Sequence, residues 1–126
     1  MNVPDDRRYT NDHEWVLADG SRARVGITDY AQDALGDVVF VQLPERGTTV
    51  SAGDSFSEVE STKSVSDVYA PVNGSVTEVN NDLVDAPQRI NEDPYGAGWI
   101  CEIEMNDSSE YGTLMDAESY RQLISA

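Results

Sequence analysis

The chain has 126 residues, and 24 acidic against eight basic residues give it a formal net charge of −16. A chain this acidic repels phosphate backbones and anionic headgroups, which argues against nucleic-acid and membrane-surface partners. Hydrophobic residues make up 39% of it, with two tryptophans and six tyrosines. That is enough for a core, so we expect a single folded domain over residues 1–126 and not a disordered acidic chain.

The basic residues are unusual in kind, since seven are arginines and only Lys63 is a lysine. An acidic, lysine-poor chain that still forms a core is typical of proteins adapted to molar salt, where the Debye length falls to ~3 Å. We therefore expect a halophilic source, an archaeon, with an acidic mesophilic protein as the alternative. No signal peptide and no apolar run of membrane-spanning length is recognised, which predicts a cytoplasmic protein.

Apolar and β-branched runs bounded by Gly and Pro turns predict a mostly β chain after a polar, loose segment over residues 1–8. The predicted strands span residues 14–17, 21–27, 37–43, 55–60, 66–70, 75–80 and 98–105. The Asp19-Gly20 turn joins the first two as a hairpin. The continuous apolar run from Val38 to Val41 predicts a strand buried on both faces, or nearly so.

Short helices are predicted at the margins of these strands. Thr28 is a good N-cap for a helix over residues 29–35, which Gly36 can end. A helical turn is expected within residues 83–90 and a loop over 91–96. Asp116 can cap a closing helix over about 116–125. Together these elements predict an all-β fold with short peripheral helices, a sandwich or flattened barrel with its core over about 9–105.

The chain offers few groups for catalysis or metal binding. His13 and Cys101 are its only histidine and cysteine, so no zinc pattern exists. No calcium loop, phosphate-binding glycine loop or nucleophile elbow occurs. Cys101 alternates with apolar neighbours, which predicts a buried thiol that forms no disulfide within the chain. We expect a protein that is not itself an enzyme and holds no metal.

Lys63 is the residue that suggests chemistry. It lies in the Ser-rich segment 58–67, between two predicted strands. An exposed lysine on a turn suits acylation by another enzyme. The alternative, a lysine that forms a Schiff base with a carbonyl substrate, requires an apolar pocket. The Ser, Thr and Asp residues around Lys63 argue against that alternative.

Four motifs resemble the H protein of the glycine cleavage system, a lipoyl carrier, over nearly the whole chain from about Tyr9. They are residues 9–16 with His13-Glu14-Trp15, residues 26–37 with Gly26-Ile27-Thr28-Asp29, residues 58–64 followed by Asp67, and residues 91–99 with Pro94-Tyr95-Gly96. The resemblance implies a lipoyl/biotinyl-type barrel-sandwich hybrid with Lys63 at a hairpin tip and a helical C-terminus. It also implies that lipoate is joined to the Lys63 amine as an amide.

The same resemblance implies a carrier cycle. Glycine decarboxylase (P protein), a pyridoxal-phosphate enzyme, would load the aminomethyl group of glycine onto the lipoyl arm. Aminomethyltransferase (T protein) would pass its carbon to tetrahydrofolate, and dihydrolipoyl dehydrogenase (L protein) would reoxidise the arm. A lipoate-attaching enzyme is a further implied partner. A tethered arm raises the local concentration of its cargo at each enzyme.

Family members are thought to shelter the cationic cargo in a groove, and Glu14 and Asp67 match positions that would line it. Some members have a histidine where this chain has Ala34, so that side chain has no counterpart here. Two other interpretations of the function remain open besides that of a glycine cleavage carrier. A biotinyl carrier domain has methionine next to its lysine, whereas Thr62 and Ser64 flank Lys63. An H-like protein that relays lipoyl groups to other proteins would share the same sequence.

Overall fold

The computed structural model describes residues 1–125, with nine strands, four α-helices and one 3-10 helix among them. The strands are β1 (Arg8–Tyr9), β2 (Glu14–Asp19), β3 (Arg22–Ile27), β4 (Val38–Gln42), β5 (Thr49–Val50), β6 (Ser55–Ser61), β7 (Val65–Tyr69), β8 (Gly74–Val79) and β9 (Cys101–Met105). The helices are α1 (Asp29–Leu35), α2 (Asp82–Asp85), α3 (Arg89–Glu92) and α4 (Ala117–Ser125), and the 3-10 helix spans Ser108–Thr113. The predicted all-β architecture with short helices is confirmed.

The strands form two antiparallel sheets. One is six-stranded, in the order β1-β2-β3-β9-β8-β5, and the other three-stranded, in the order β4-β6-β7. The predicted first hairpin is β2–β3: Asp19 lies opposite Arg22, and Gly20 takes a φ of 62° in the turn. A positive φ is a conformation that glycine adopts without steric cost, as the turn requires.

The core consists of branched aliphatic side chains from both sheets. Val25 and Ile103 of the six-stranded sheet belong to the same buried cluster as Val59 and Val68 of the three-stranded sheet, each at most 1% exposed. Cys101 is fully buried in this cluster, as predicted, and burial raises the pKa of its thiol. A raised pKa keeps Cys101 as the protonated thiol, whereas the thiolate is the reactive species. Cys101 therefore serves to pack the core.

A second cluster joins α4 to β1 and to the N-terminal segment. The rings of Tyr9 and Tyr120 stack with centroids 4.6 Å apart. Val3 is buried in this cluster, and the Asn2 carbonyl accepts a hydrogen bond from the Tyr95 hydroxyl at 2.6 Å. The prediction of a loose segment over residues 1–8 is therefore wrong. A polar segment looks loose by composition, but distant aromatic residues supply it with contacts.

The helix ends follow the predicted capping. Thr28 Oγ1 accepts a hydrogen bond from the Ala31 amide at 3.2 Å, and Asp116 Oδ1 accepts one from the Ser119 amide at 2.9 Å. The predicted loop over residues 91–96 is wrong in its first two residues, which complete α3. Asn91 is held there because its side-chain amide donates to the Gly36 carbonyl and its Oδ1 accepts from the Val38 amide.

Strand β4 differs from its prediction. Val38 and Val41 are buried, but Val39 and Phe40 are 52% and 50% exposed. The prediction of burial on both faces is wrong because β4 is an edge strand of a sheet with one face on the core, and its pairing with β6 shifts between Val38 and Phe40. No helix among residues 1–125 has the length and apolar character needed to cross a bilayer.

Candidate functional site

Lys63 lies at the tip of the β6–β7 hairpin. The Ser61 amide donates to the Ser64 carbonyl at 2.8 Å and closes a turn whose two central residues are Thr62 and Lys63. The Ser61 hydroxyl oxygen accepts hydrogen bonds from the amides of Lys63 and Ser64 at 3.2 and 3.0 Å. A serine that satisfies turn amides with its own side chain stabilises the turn locally. The Ser-rich sequence therefore fixes the backbone that presents Lys63.

The tip is also held from behind. The Thr62 amide donates to the Asp37 carbonyl at 3.0 Å. The Lys63 side chain passes over Gly36, where a Cβ atom would lie 3.4 Å from Lys63 Cε. Lys63 is exposed, and among residues 1–125 no carboxylate lies within ion-pairing distance of its amine. The amine is therefore free to meet another protein.

A groove of about 300 Å³ opens beside the tip, between helix α1 and the free edge of strand β7. Its lining includes Ser64, the residue after Lys63, so the groove begins where the lysine is attached. Helix α1 supplies an apolar wall that includes Tyr30, Ala31 and Leu35. A cavity with one apolar wall and a few polar groups is the usual form of a small-molecule site.

Glu14 is the buried carboxylate of this groove, with its residue only 2% exposed. Its Oε1 accepts a hydrogen bond from the Thr10 hydroxyl at 2.5 Å, and its Oε2 accepts one from the Tyr69 amide at 3.2 Å. Burial disfavours the charged form and raises the pKa of Glu14 from 4.5 to about 7, although the two hydrogen bonds oppose this. Glu14 therefore changes charge near neutral pH, where a cationic ligand would favour its ionised form.

The turn before Glu14 is built around Thr10. Thr10 Oγ1 accepts hydrogen bonds from the amides of Asp12 and Glu14, each at 3.2 Å. His13 closes the turn with a φ of 70°, the only positive φ of a non-glycine residue within residues 1–125. Such a conformation costs free energy and persists where the surroundings fix it. Here it places the His13 ring in the lining of the groove.

The His13 ring is held on two sides. Its Nδ1 lies 2.8 Å from the Tyr120 hydroxyl, and its ring centroid lies 4.7 Å from that of Tyr30. Burial lowers the pKa of His13, while the charge of Asp12 opposes the shift. The lowered pKa favours the neutral ring, which limits the positive charge that His13 adds to a groove that Glu14 also lines.

Asp67 also lines the groove, but its carboxylate has another partner. Its Oδ1 accepts a hydrogen bond from the Ser55 hydroxyl at 3.0 Å. Asp67 lies opposite Glu58 in the β6–β7 pairing, so both side chains leave the sheet on the same face, whereas the neighbouring Val59 and Val68 face the core. The structure thus places Glu14 as a buried residue in the wall of the groove and Asp67 at its exposed rim.

Comparison with known proteins agrees with the sequence motifs. The family described as "Glycine cleavage H-protein" matches residues 7–126. A glycine cleavage system H protein of Mycobacterium tuberculosis is 58% identical over 127 residues, covering 95% of each chain. One of Mycobacterium avium is 58% identical over 125 residues, again over 95% of each chain. The chain belongs to the glycine cleavage H-protein family.

A solved structure supports the same assignment. The crystal structure of a glycine cleavage system H protein from Mycobacterium marinum superposes with a TM-score of 0.89 at 50% identity, covering 98% of this chain and 100% of that one. The predicted carrier of the glycine cleavage system and its fold are therefore confirmed. These relatives are bacterial, and they give no support to the halophilic archaeal source expected from composition.

Within this H-protein fold, the structure adds residues that sequence reasoning missed. His13 was considered only as a metal ligand, yet it lies in the groove, and residues 1–125 contain no cluster of three metal-binding side chains. Tyr120 lies within the predicted closing helix, and its place in the sequence gives no sign of a link to the groove. Ala34 also lines the groove, which is wider there than a histidine would leave it. The one available signal for His13 was its place in the His13-Glu14-Trp15 motif.

Proposed function

We propose that Lys63 is the lipoyl attachment site of this H protein and that the groove beside it shelters the cargo of the arm. The observation that carries the proposal is the position of the only lysine. Lys63 projects from a turn fixed by Ser61; its amine makes no ion pair within residues 1–125, and the groove starts at the next residue. When attached, lipoate supplies a disulfide that takes up the aminomethyl group and is afterwards restored by oxidation.

The chain's own residues would hold and protect the cargo. Helix α1 excludes water with an apolar wall, and Glu14 offers a carboxylate to the ammonium end of the aminomethyl group. A charge-assisted hydrogen bond in a water-poor site is about twice as strong as a neutral one. Asp67 would add negative charge at the rim. Ionised Glu14 binds the cation best, so the shelter should strengthen as pH rises through about 7.

The proposed partners are glycine decarboxylase, aminomethyltransferase, dihydrolipoyl dehydrogenase and a lipoate-attaching enzyme. The chain would act as a single lipoyl-carrier domain over residues 1–126 in the cytoplasm, and it would catalyse no step by itself. What supports this is membership of the H-protein family, together with a site that presents a tether point and a shelter.

Replacement of Lys63 by Arg tests the attachment. Arg keeps the positive charge but has no primary amine that can be acylated. Lys63→Arg should fold with an unchanged melting temperature, gain no lipoyl mass, and fail to support glycine cleavage with the three purified enzymes. Arg46→Lys, a matched control that offers a second exposed lysine on another segment, should gain only one lipoyl group. A lipoylated or active Lys63→Arg protein would contradict the proposal.

A further inference from the structure

The outer face of the three-stranded sheet carries exposed apolar side chains beside the hairpin tip. Phe40 on β4 and Val65 on β7 lie opposite Glu60 on β6, one on each side of it. Phe40 is 50% and Val65 59% exposed, and Val39, at the irregularity of β4, is 52% exposed. Directly opposed side chains on neighbouring strands lie about 5 Å apart. We call these four residues, Val39, Phe40, Glu60 and Val65, the Phe40 face.

The surroundings of the Phe40 face are acidic. The next row across the sheet consists of Gln42, Glu58 and Asp67. Lys63 is the only basic residue between residues 47 and 88. A protein surface that covers the Phe40 face must therefore offer an apolar depression bordered by arginine or lysine side chains, because buried carboxylates need partners of opposite charge.

The Phe40 face differs from ordinary exposed apolar residues. Single exposed apolar side chains are common on soluble proteins, whereas contiguous ones mark interaction sites. Here two exposed apolar side chains, Phe40 and Val65, flank Glu60, and exposed Val39 is next to Phe40 in sequence. Edge strands such as β4 and β7 normally carry charge to avoid pairing with other chains. Apolar residues at this position are therefore expected to have a partner.

We propose that the Phe40 face is the docking surface for the enzyme that acylates Lys63. This proposal rests on lipoate attachment at Lys63. The bare lysine carries its amine on a four-carbon stem, so the acylating enzyme must close over the protein surface around the tip. Enzymes that act later meet a longer arm, whereas the acylating enzyme must reach the bare amine itself. We therefore assign the face to the acylating enzyme.

The acylation that this docking serves is a simple transfer. The Lys63 amine nitrogen attacks the carbonyl carbon of a lipoyl group activated as its adenylate, a mixed anhydride. The new C–N amide bond forms, the bond from the carbonyl carbon to the phosphate oxygen breaks, and AMP leaves with that oxygen. The amine gives up protons to solvent, and no electron donor or acceptor is consumed. Docking raises the rate by holding the amine at the reactive carbonyl.

Initial rates of lipoylation test the docking surface. A purified lipoate ligase with lipoate and ATP is given increasing concentrations of the wild-type protein, Phe40→Thr or Val65→Thr. Threonine keeps the strand propensity at both positions and nearly the shape of Val65. Phe40→Thr should raise the KM for the protein roughly tenfold, as loss of an aromatic hot-spot residue does. Val65→Thr should raise the KM severalfold, and both should leave kcat nearly unchanged.

Matched controls separate docking from general effects. Leu123 on α4 is 41% exposed. Leu123→Thr therefore removes an exposed apolar side chain that lies away from the tip. Its KM should stay within about twofold of wild type, the range expected when a residue lies outside an interface. Glu58→Gln should raise the KM, whereas Glu104→Gln, on the other sheet, should not. Increasing salt should raise the KM of wild type, because the charge attraction is screened.

The outcomes distinguish this proposal from the proposed function. If the ligase does not acylate Lys63 in the wild-type protein, the proposed attachment itself fails. If wild type is acylated and both threonine variants match its KM, only the docking surface is overturned. Docking is equally overturned if the variants are lipoylated normally but lose turnover with glycine decarboxylase, or if wild type sediments as a dimer that Phe40→Thr dissociates. In those cases the face serves a later enzyme or a second copy.

Discussion

The Tyr120 hydroxyl on the C-terminal helix lies 2.8 Å from Nδ1 of His13 and so connects that helix to the wall of the groove. The same hydroxyl lies 2.7 Å from Oγ1 of Thr28, the N-cap of α1. One buried phenol thus joins the His13 turn to the start of the helix that forms the apolar wall. Helix α4 therefore helps to shape the groove, although none of its residues lies in the groove lining.

Tyr120→Phe should preserve the stack on Tyr9 and remove both hydrogen bonds. We expect a loss of roughly 2 kcal/mol in unfolding free energy, about 1 kcal/mol for each of the two bonds. His13 is the only histidine, so its ring-nitrogen NMR signals need no assignment. They should show one dominant tautomer in wild type and a mixture in Tyr120→Phe. Tyr111→Phe, in the 3-10 helix, is the control and should leave these signals unchanged; unchanged signals in Tyr120→Phe would contradict the role of Tyr120.

Glu14→Gln should change how stability depends on pH. Because folding raises the pKa of Glu14 from 4.5 to about 7, the folded state binds the extra proton between these values. This contribution to stability is complete below pH 4.5 and is lost as pH rises through about 7, by roughly 3 kcal/mol in total. Glutamine mimics the protonated form and loses nothing. In urea unfolding, the free energy of unfolding of Glu14→Gln should rise relative to that of wild type from pH 4.5 to 8. Parallel pH profiles for the two proteins would contradict the effect of burial on Glu14.

Glu14→Gln and Asp67→Asn should differ in how well they protect the cargo. In aminomethylated protein without tetrahydrofolate and transferase, loss of the carbon to water is followed as released formaldehyde. We expect Glu14→Gln to release it roughly tenfold faster, equivalent to about 1.4 kcal/mol of lost contact. Asp67→Asn should have a smaller effect, because Asp67 binds Ser55 at the rim. Glu104→Gln is the control. If all three variants release formaldehyde at the wild-type rate in low and high salt, neither Glu14 nor Asp67 protects the cargo. Lys63 would then be the one site residue that remains of this proposal.

Gly36→Ala tests the support behind Lys63. Gly36 has a φ of 82°, and a Cβ atom there would lie 3.4 Å from Lys63 Cε. Gly20 has a φ of 62° with nothing within 4 Å of the same added atom, so Gly20→Ala is a control for alanine at a positive φ away from Lys63. Gly20→Ala should lower the unfolding free energy by about 1–2 kcal/mol, and Gly36→Ala by more, because a φ of 82° with a ψ of −157° is adopted almost only by glycine. Only Gly36→Ala should slow lipoylation, and equal rates for both variants would show that Gly36 does not guide the lysine.

Salt should stabilise the fold. A net charge of −16 repels itself in the compact state, and the Debye length shortens from about 10 Å at 0.1 M salt to about 3 Å at 1 M. Because of this screening, the melting temperature should rise steadily as sodium chloride increases from 0.01 to 1 M. Melts with glycerol in place of salt at equal osmolality control for excluded-solute effects. A flat salt series would show that repulsion is already balanced by the chain's ion pairs.

The local features of this protein can be predicted from neighbouring residues alone. Capping by Thr28 and Asp116, the Asp19-Gly20 hairpin and the buried Cys101 all follow from residue types at fixed spacing, and the structure confirms them. The lysine on its Ser-rich turn also follows, because the contacts that close the turn lie within four consecutive residues. Local hydrogen bonds and turn preferences are written in neighbouring residues, so they can be predicted without a partner segment.

The grouping of residues around the groove depends on contacts between segments that are distant in sequence. Glu14 is buried because Thr10 and the distant Tyr69 amide satisfy its oxygens, and burial is what moves its pKa. His13 became part of the groove through Tyr120, 107 residues away in sequence. Val39 and Phe40 became exposed because only one face of the three-stranded sheet packs on the core. Burial, pKa and exposure depend on which distant segments pack together, and no local pattern of residues specifies that.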